Sequence, residues 1–107
     1  MKNLREFYGD TIIDKNDYNE LDVQYKLELK YYKIHNLADN GIEKNYGIEV
    51  MKKEFNKNTI KEESEIFFNI ANSEEQVDMI LNVLSKNKVT PIGVLDVLDD
   101  IYKNGDE

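Results

Sequence analysis

The chain has no cysteine, no tryptophan, a single proline and a single histidine in its 107 residues. Without cysteine there is no disulfide, no cysteine-ligated zinc and no thiol nucleophile, which suits a reducing cytoplasm. With only His35, one subunit holds neither a histidine dyad nor a multi-histidine metal site. The five glycines, Gly9, Gly41, Gly47, Gly93 and Gly105, are scattered and form neither Gly-x-Gly-x-x-Gly nor a Walker loop, and no serine occupies a Gly-x-Ser-x-Gly elbow. No apolar run approaches the roughly 20 residues of a membrane span, and Met1 to Phe7 is charged where a signal peptide would be apolar. The expectation is a cytoplasmic, non-enzymatic domain with no membrane contact, no metal and no cofactor.

Basic charge is also scarce in one half. Residues 1–61 hold 11 acidic and 11 basic side chains, whereas residues 62–107 hold 11 acidic and 3 basic, so the second half carries the whole net charge of -8. That balance disfavours direct nucleic-acid binding, whose affinity comes from Lys and Arg. It favours a protein partner with a basic surface. Seven tyrosines and four phenylalanines argue against disorder, and the length is that of one domain.

Residues 22–31 alternate strictly. Val23, Tyr25, Leu27, Leu29 and Tyr31 fall on one side, with Asp22, Gln24, Lys26, Glu28 and Lys30 on the other, which is the period of a half-buried strand. Tyr32 and Ile34 change parity, as a bulge or the end of the strand would require. A turn over Asn36–Gly41 leads to a second strand in which Tyr46, Ile48 and Val50 alternate with Gly47 and Glu49, and the polar run Lys52–Asn58 holds the next connection. A third strand over Glu65–Ile70 is expected to place Ile66, Phe68 and Ile70 on one face. Residues 1–20 form a separate N-terminal segment, either a mobile terminus or an edge strand through Phe7, Tyr8, Ile12 and Ile13, and residues 21–107 form a single domain.

Two helices follow. Ser73-Glu74-Glu75-Gln76 is a capping box with two carboxylates at the positive end of the helix dipole. From it, Val77, Met79, Ile80, Leu81, Val83 and Leu84 make an apolar arc of about 200°. Thr90-Pro91 supplies an N-cap and an N1 proline for a second helix to about Lys103, stopped by Asn104-Gly105. There Val94, Leu95, Val97, Leu98, Ile101 and Tyr102 oppose Asp96, Asp99 and Asp100 across an arc of about 160°. The predicted fold is α+β: a three- or four-stranded antiparallel meander covered on one face by a C-terminal helical hairpin.

Tyr46-Gly47-Ile48-Glu49-Val50, Asn87-Lys88-Val89-Thr90-Pro91-Ile92 and Leu95-Asp96-Val97-Leu98-Asp99-Asp100-Ile101-Tyr102 resemble the small clostridial domain-of-unknown-function family numbered 6514. The resemblance covers roughly residues 22–103 and implies a bacterial lineage. It brings no activity, cofactor or catalytic residue.

Few residues invite chemistry. Glu62 and Glu63, adjacent on a strand, point to opposite faces and cannot converge on a substrate. His35, beside Asn36 near a strand end, is expected at the surface or in a turn. Asp14-x-Asn16-x-Tyr18-Asn19 has the look of a calcium loop but lacks glycine at its sixth position and glutamate at its twelfth. Asp96, Asp99 and Asp100 share one helical face with Lys103, and a divalent cation would need ligands from a second element. The leading expectation is therefore a regulatory or adaptor domain that binds a protein partner through its acidic hairpin, with Asp78, Asp96, Asp99 and Asp100 steering and Ile92 as apolar anchor. The alternatives are a nucleic-acid-mimicking inhibitor of a DNA- or RNA-binding protein and a small-ligand or metal-binding domain. Homodimerisation through the helical apolar surface is a further expectation.

Overall fold

The computed structural model describes residues 2–13, 26–38, 42–56 and 58–104. Four strands run in order across one antiparallel sheet: β1 (Lys2–Ile13), β2 (Lys26–Leu37), β3 (Glu43–Phe55) and β4 (Ile60–Ala71). Two helices follow, α1 (Glu74–Lys86) and α2 (Val94–Asn104), the second entered through a 3-10 turn at Pro91–Gly93. This is the expected α+β meander in its four-stranded form. The expectations for Asp14–Tyr25, including the start of the alternating strand and the calcium-like stretch, lie outside the described residues. So do those for Asp39–Gly41, Lys57 and Gly105.

The β2 period holds as read, with Leu27, Leu29 and Tyr31 buried under the helices and Lys26 exposed. The strand does not bulge or stop at Tyr32. Its pairing with β3 is continuous from Lys26 to Asn36, and the extra residue is Tyr8 on β1, between Phe7 and Gly9. Tyr32 and Ile34 are therefore outward residues of a regular strand, while Lys33 takes the next inward position. β3 also runs further than expected, since Lys52–Phe55 continue the ladder instead of forming a connection.

In β4 the expected face is shared by Ile66 and Phe68 but not by Ile70, and it is the outward one. Phe67 pairs with Ile48 and packs on the core, whereas Ile66 and Phe68 face outward and stand 44% and 52% exposed. A bulge beyond Phe67, with Asn69 at φ 56°, takes four residue steps of β4 against two of β3, so that Ala71 is buried opposite Tyr46 and Ile70 also packs against the core. The bulge brings the β4 backbone over Gly47, where an added Cβ would lie 2.4 Å from the Phe67 carbonyl oxygen. Glycine is required there by backbone proximity.

Helix α1 buries Val77, Ile80, Leu81 and Leu84 against the sheet, the i, i+3, i+4, i+7 stripe of an amphipathic helix. The Ser73 hydroxyl accepts from the Gln76 amide at 3.2 Å, and the Gln76 side chain reaches back to the Asn72 amide. At the other end, the Val89 amide donates to Leu84 and the Lys88 amide to Ser85, with Lys88 left-handed at φ 52°. That is a Schellman closure with lysine in the position glycine usually takes. The second helix starts later than read, because Pro91–Gly93 is a 3-10 turn and the Thr90 side chain makes no capping bond. α2 buries Val94 and Leu98, but Leu95 is 65% exposed, and on α1 Met79 is 44% exposed.

Candidate functional site

The five residues singled out for partner binding separate into two settings. Ile92, Asp96, Asp99 and Asp100 all lie on the exposed side of the 3-10 turn and α2. Ile92 is 91% exposed, the extreme among the described large apolar residues. Together with Leu95 they follow the spacing i, i+3, i+4, i+7, so Ile92, Leu95, Asp96 and Asp99 form one ridge, with Asp100 beside it. Lys103, one turn further, is the basic residue of that side.

Asp78 stands elsewhere. Its carboxylate lies 2.6 Å from the Lys33 ammonium, whose second partner is Glu74 at 2.8 Å. Lys33 is 5% exposed on the inward face of β2, and the two acids are on successive turns of α1. Burial works against the ammonium charge, but the hydrogen bonds and attraction of Asp78 and Glu74 outweigh it and raise the Lys33 pKa. Asp78 thus fastens α1 to the sheet and is already engaged by a cation.

His35 extends this network. It is an inward residue within β2, not a turn residue. Its ring packs edge-on against Tyr46 at 5.6 Å, and its Nε2 lies 2.7 Å from the Glu6 carboxylate on β1. Glu6, His35 and Glu74 bring one potential ligand atom each within 4.8 Å of one another. One imidazole and two carboxylates are a donor set that suits zinc or another transition metal. The Lys33 ammonium against Glu74 already supplies positive charge there, and the Lys33–Glu74 ion pair and the His35–Glu6 hydrogen bond account for the positions of all three side chains. Lys33 was legible in principle: it falls on the inward period begun by Leu27, Leu29 and Tyr31.

On the sheet's other face Arg5 crosses the Tyr32 ring at 4.3 Å and reaches Glu49 at 2.9 Å. Glu49 is 5% exposed, enclosed on a face no helix covers. Its hydrogen bond and charge raise the Arg5 pKa. Open concavities also lie on the surface of the described residues. One of about 560 Å³ is lined by Ile13, Lys88, Val89 and Val97, and one of about 580 Å³ by Asn69, Asn72, Gln76 and Tyr102. Among the described residues, neither gathers two titratable groups capable of acid–base chemistry at neutral pH.

Among the described residues, no helix is long and apolar enough to cross a membrane. No curated protein and no solved structure matches the chain significantly. The model of one family does match, over residues 10–104, reaching from within β1 to the end of α2 and so further upstream than the resemblance read from local strings. The chain belongs to the family of unknown function DUF6514.

Proposed function

We propose that the protein is a non-enzymatic regulatory or adaptor domain that docks a basic protein partner on the outer side of α2. The observation that carries this reading is the ridge of Ile92, Leu95, Asp96 and Asp99, an apolar pair followed by acids, all exposed on a rigid turn and helix. Exposed carboxylates on a chain of net charge -8 steer a cationic partner and discriminate against acidic ones. Apolar side chains beside them supply the area that holds it. Asp78, engaged by Lys33, has a structural part in the proposal. The cytoplasm of a clostridial bacterium is the proposed setting, which the absence of cysteine suits.

The test is retention of a partner from native lysate at low and moderate salt, comparing wild type with the triple variant Asp96→Asn, Asp99→Asn, Asp100→Asn and with Ile92→Ser. A specific basic protein held by wild type, released by salt and lost in both variants supports the reading. Unchanged capture by both variants overturns it.

A further inference from the structure

The face of the sheet turned away from the helices has a composition unlike the rest of the chain. Cross-strand pairing sets Phe7, Tyr32, Glu49 and Ile66 in one row across all four strands. In the neighbouring row stand Arg5, Ile34 and Gly47, with Phe68 beside them. Phe7 and Phe68 are 53% and 52% exposed, and Phe7 meets Tyr32 edge-to-face at 5.7 Å. Among the described residues, the charges within this aromatic end, Arg5 and Glu49, neutralise each other. Toward the other end the outward positions alternate in sign: Asp10 opposite Lys30, and Glu28, Lys53 and Glu62 in one row. Counting Lys26, the described outward strand positions hold Arg5, Lys26, Lys30 and Lys53 against Asp10, Glu28, Glu49 and Glu62. The face is electrically balanced in a molecule that is otherwise strongly acidic.

We infer that this face binds a second copy of the chain, sheet against sheet about a two-fold axis, with the Phe7–Tyr32–Ile66–Phe68 end as its apolar centre. Two observations select a second copy as the occupant. The first is charge: copies carrying -8 repel through their helical sides, and the balanced sheet face is where that repulsion is least. A surface with equal numbers of both signs can complement itself under two-fold symmetry, whereas a strongly charged partner gains nothing from it. The second is size. Four strands of 12 to 13 residues at the usual strand spacing and rise present a face of roughly 19 by 40 Å, or roughly 750 Å², close to the ~800 Å² per partner of a standard interface. Two stacked sheets with interdigitating side chains are a common all-β packing. The inference is independent of the α2 ridge, which remains exposed on the opposite side of each copy.

The test is sedimentation equilibrium of the full chain from about 5 to about 500 µM, the range that brackets weak and moderate association. The expected result is a mass that rises from one chain to two with concentration and is maintained or favoured as salt increases. Phe68→Glu and, separately, Lys30→Glu should each weaken the dimer about tenfold or more, while Ile92→Ser leaves it unchanged. Lys30→Glu alters an outward ladder position with no core contact, so it keeps the test sound if Phe68→Glu fails to fold. A one-chain mass across the whole range overturns the inference. So does a dimer that survives Lys30→Glu or one that Ile92→Ser abolishes. Loss of lysate partner with Ile92→Ser and persistence of the dimer would separate the two readings.

Discussion

Along β2, Leu27, Leu29, Tyr31 and Lys33 point toward the helices while Lys26, Glu28, Lys30 and Tyr32 point away, so the sheet's two faces share one backbone and differ in side chains alone. The covered face is a filled interior. Leu29, Tyr31, Ile48 and Val50 are fully buried against Val77, Ile80, Leu81 and Leu84. Among the described residues its buried cation, Lys33, is held by two acids of α1. The open face is a balanced surface in which aromatic rings and ion pairs mix and, among the described residues, only Ile34, Asn36, Gly47 and Glu49 are buried. Burial on the first face comes from a second layer; on the second it comes from neighbouring side chains of the same layer. The same kind of substitution should therefore have very different consequences on the two sides.

The largest difference should come from Leu84→Ala. Leu84 is 0% exposed between helix and sheet, and its carbonyl closes the helix end with the Val89 amide. Removing a fully buried leucine side chain loses transfer energy and leaves a cavity, a loss of about 3 kcal/mol. The denaturant midpoint should fall with the slope unchanged. A loss under about 1 kcal/mol would mean that the helical layer is not tightly packed on the sheet.

Gly47→Ala comes next and tests whether the open face is shaped by the backbone. The new methyl group meets the Phe67 carbonyl oxygen at 2.4 Å and the Phe68 Cα at 3.2 Å, both main-chain atoms that no rotamer change can move. Overpacking of this kind costs about 2 kcal/mol. Backbone amide shifts in β4 should change around Phe67–Asn69 while those of α2 stay fixed, which nuclear magnetic resonance of the variant would show.

The sequence made the helices legible through local chemistry: Ser73 and Gln76 at one start, Thr90-Pro91 at the other, and the stripe Val77, Ile80, Leu81, Leu84. β2 was equally legible because its early inward residues, Leu27, Leu29 and Tyr31, are apolar and its early outward ones charged. β4 was not. With Ile66, Phe67 and Phe68 consecutive, a period-two reading has no polar residue to fix the phase, and the bulge at Asn69 interrupts the period before Ile70. The weak period of β1 has the same cause, an extra residue at Tyr8. Asp78 was read as a docking acid because nothing local to α1 reveals the lysine beneath it. That pairing joins residues 45 positions apart and exists only once the helix lies on the sheet. The exposed positions of Ile92, Asp96, Asp99 and Asp100 needed only the helical period, and they stand where that period puts them.

Alkaline pH offers a smaller, graded way to weaken the covered face. Burial raises the Tyr31 phenol pKa, and its hydroxyl donates to the Val89 carbonyl at 2.8 Å; Lys33, desolvated but held by Asp78 and Glu74, is raised as well. Both groups bind their proton more tightly in the folded state. Their contribution to stability is therefore complete below the unfolded values, about 10 for tyrosine and about 10.4 for lysine, and is lost as pH rises toward the folded ones. Denaturant midpoints should be flat between neutrality and about pH 9 and decline above about pH 10. Tyr31→Phe and Lys33→Met should each start from lower stability and decline less. An equal alkaline slope in both variants would place the titrating groups elsewhere.

The smallest effect should belong to Ile66→Ala, and its smallness is what makes the comparison sharp. Ile66 pairs across the ladder with Glu49 on the open face and is 44% exposed, so about half of its apolar surface never leaves water. Truncation there leaves an open notch that solvent fills, and the cavity penalty that dominates at Leu84 does not arise. What remains is partial burial against Tyr32's row and the lower strand preference of alanine, together about 1 kcal/mol or less. That figure applies to the isolated chain and should be measured at the lowest workable concentration. As concentration rises, a dimer joined through this face would make wild type gain stability, because association stabilises only the folded state, while Ile66→Ala would gain less. The difference between the two proteins would then grow with concentration, whereas the Leu84→Ala difference would stay constant. A difference for Ile66→Ala that is already near 3 kcal/mol in the dilute chain would show that the open face is as tightly packed as the covered one, and the contrast between the faces would be lost.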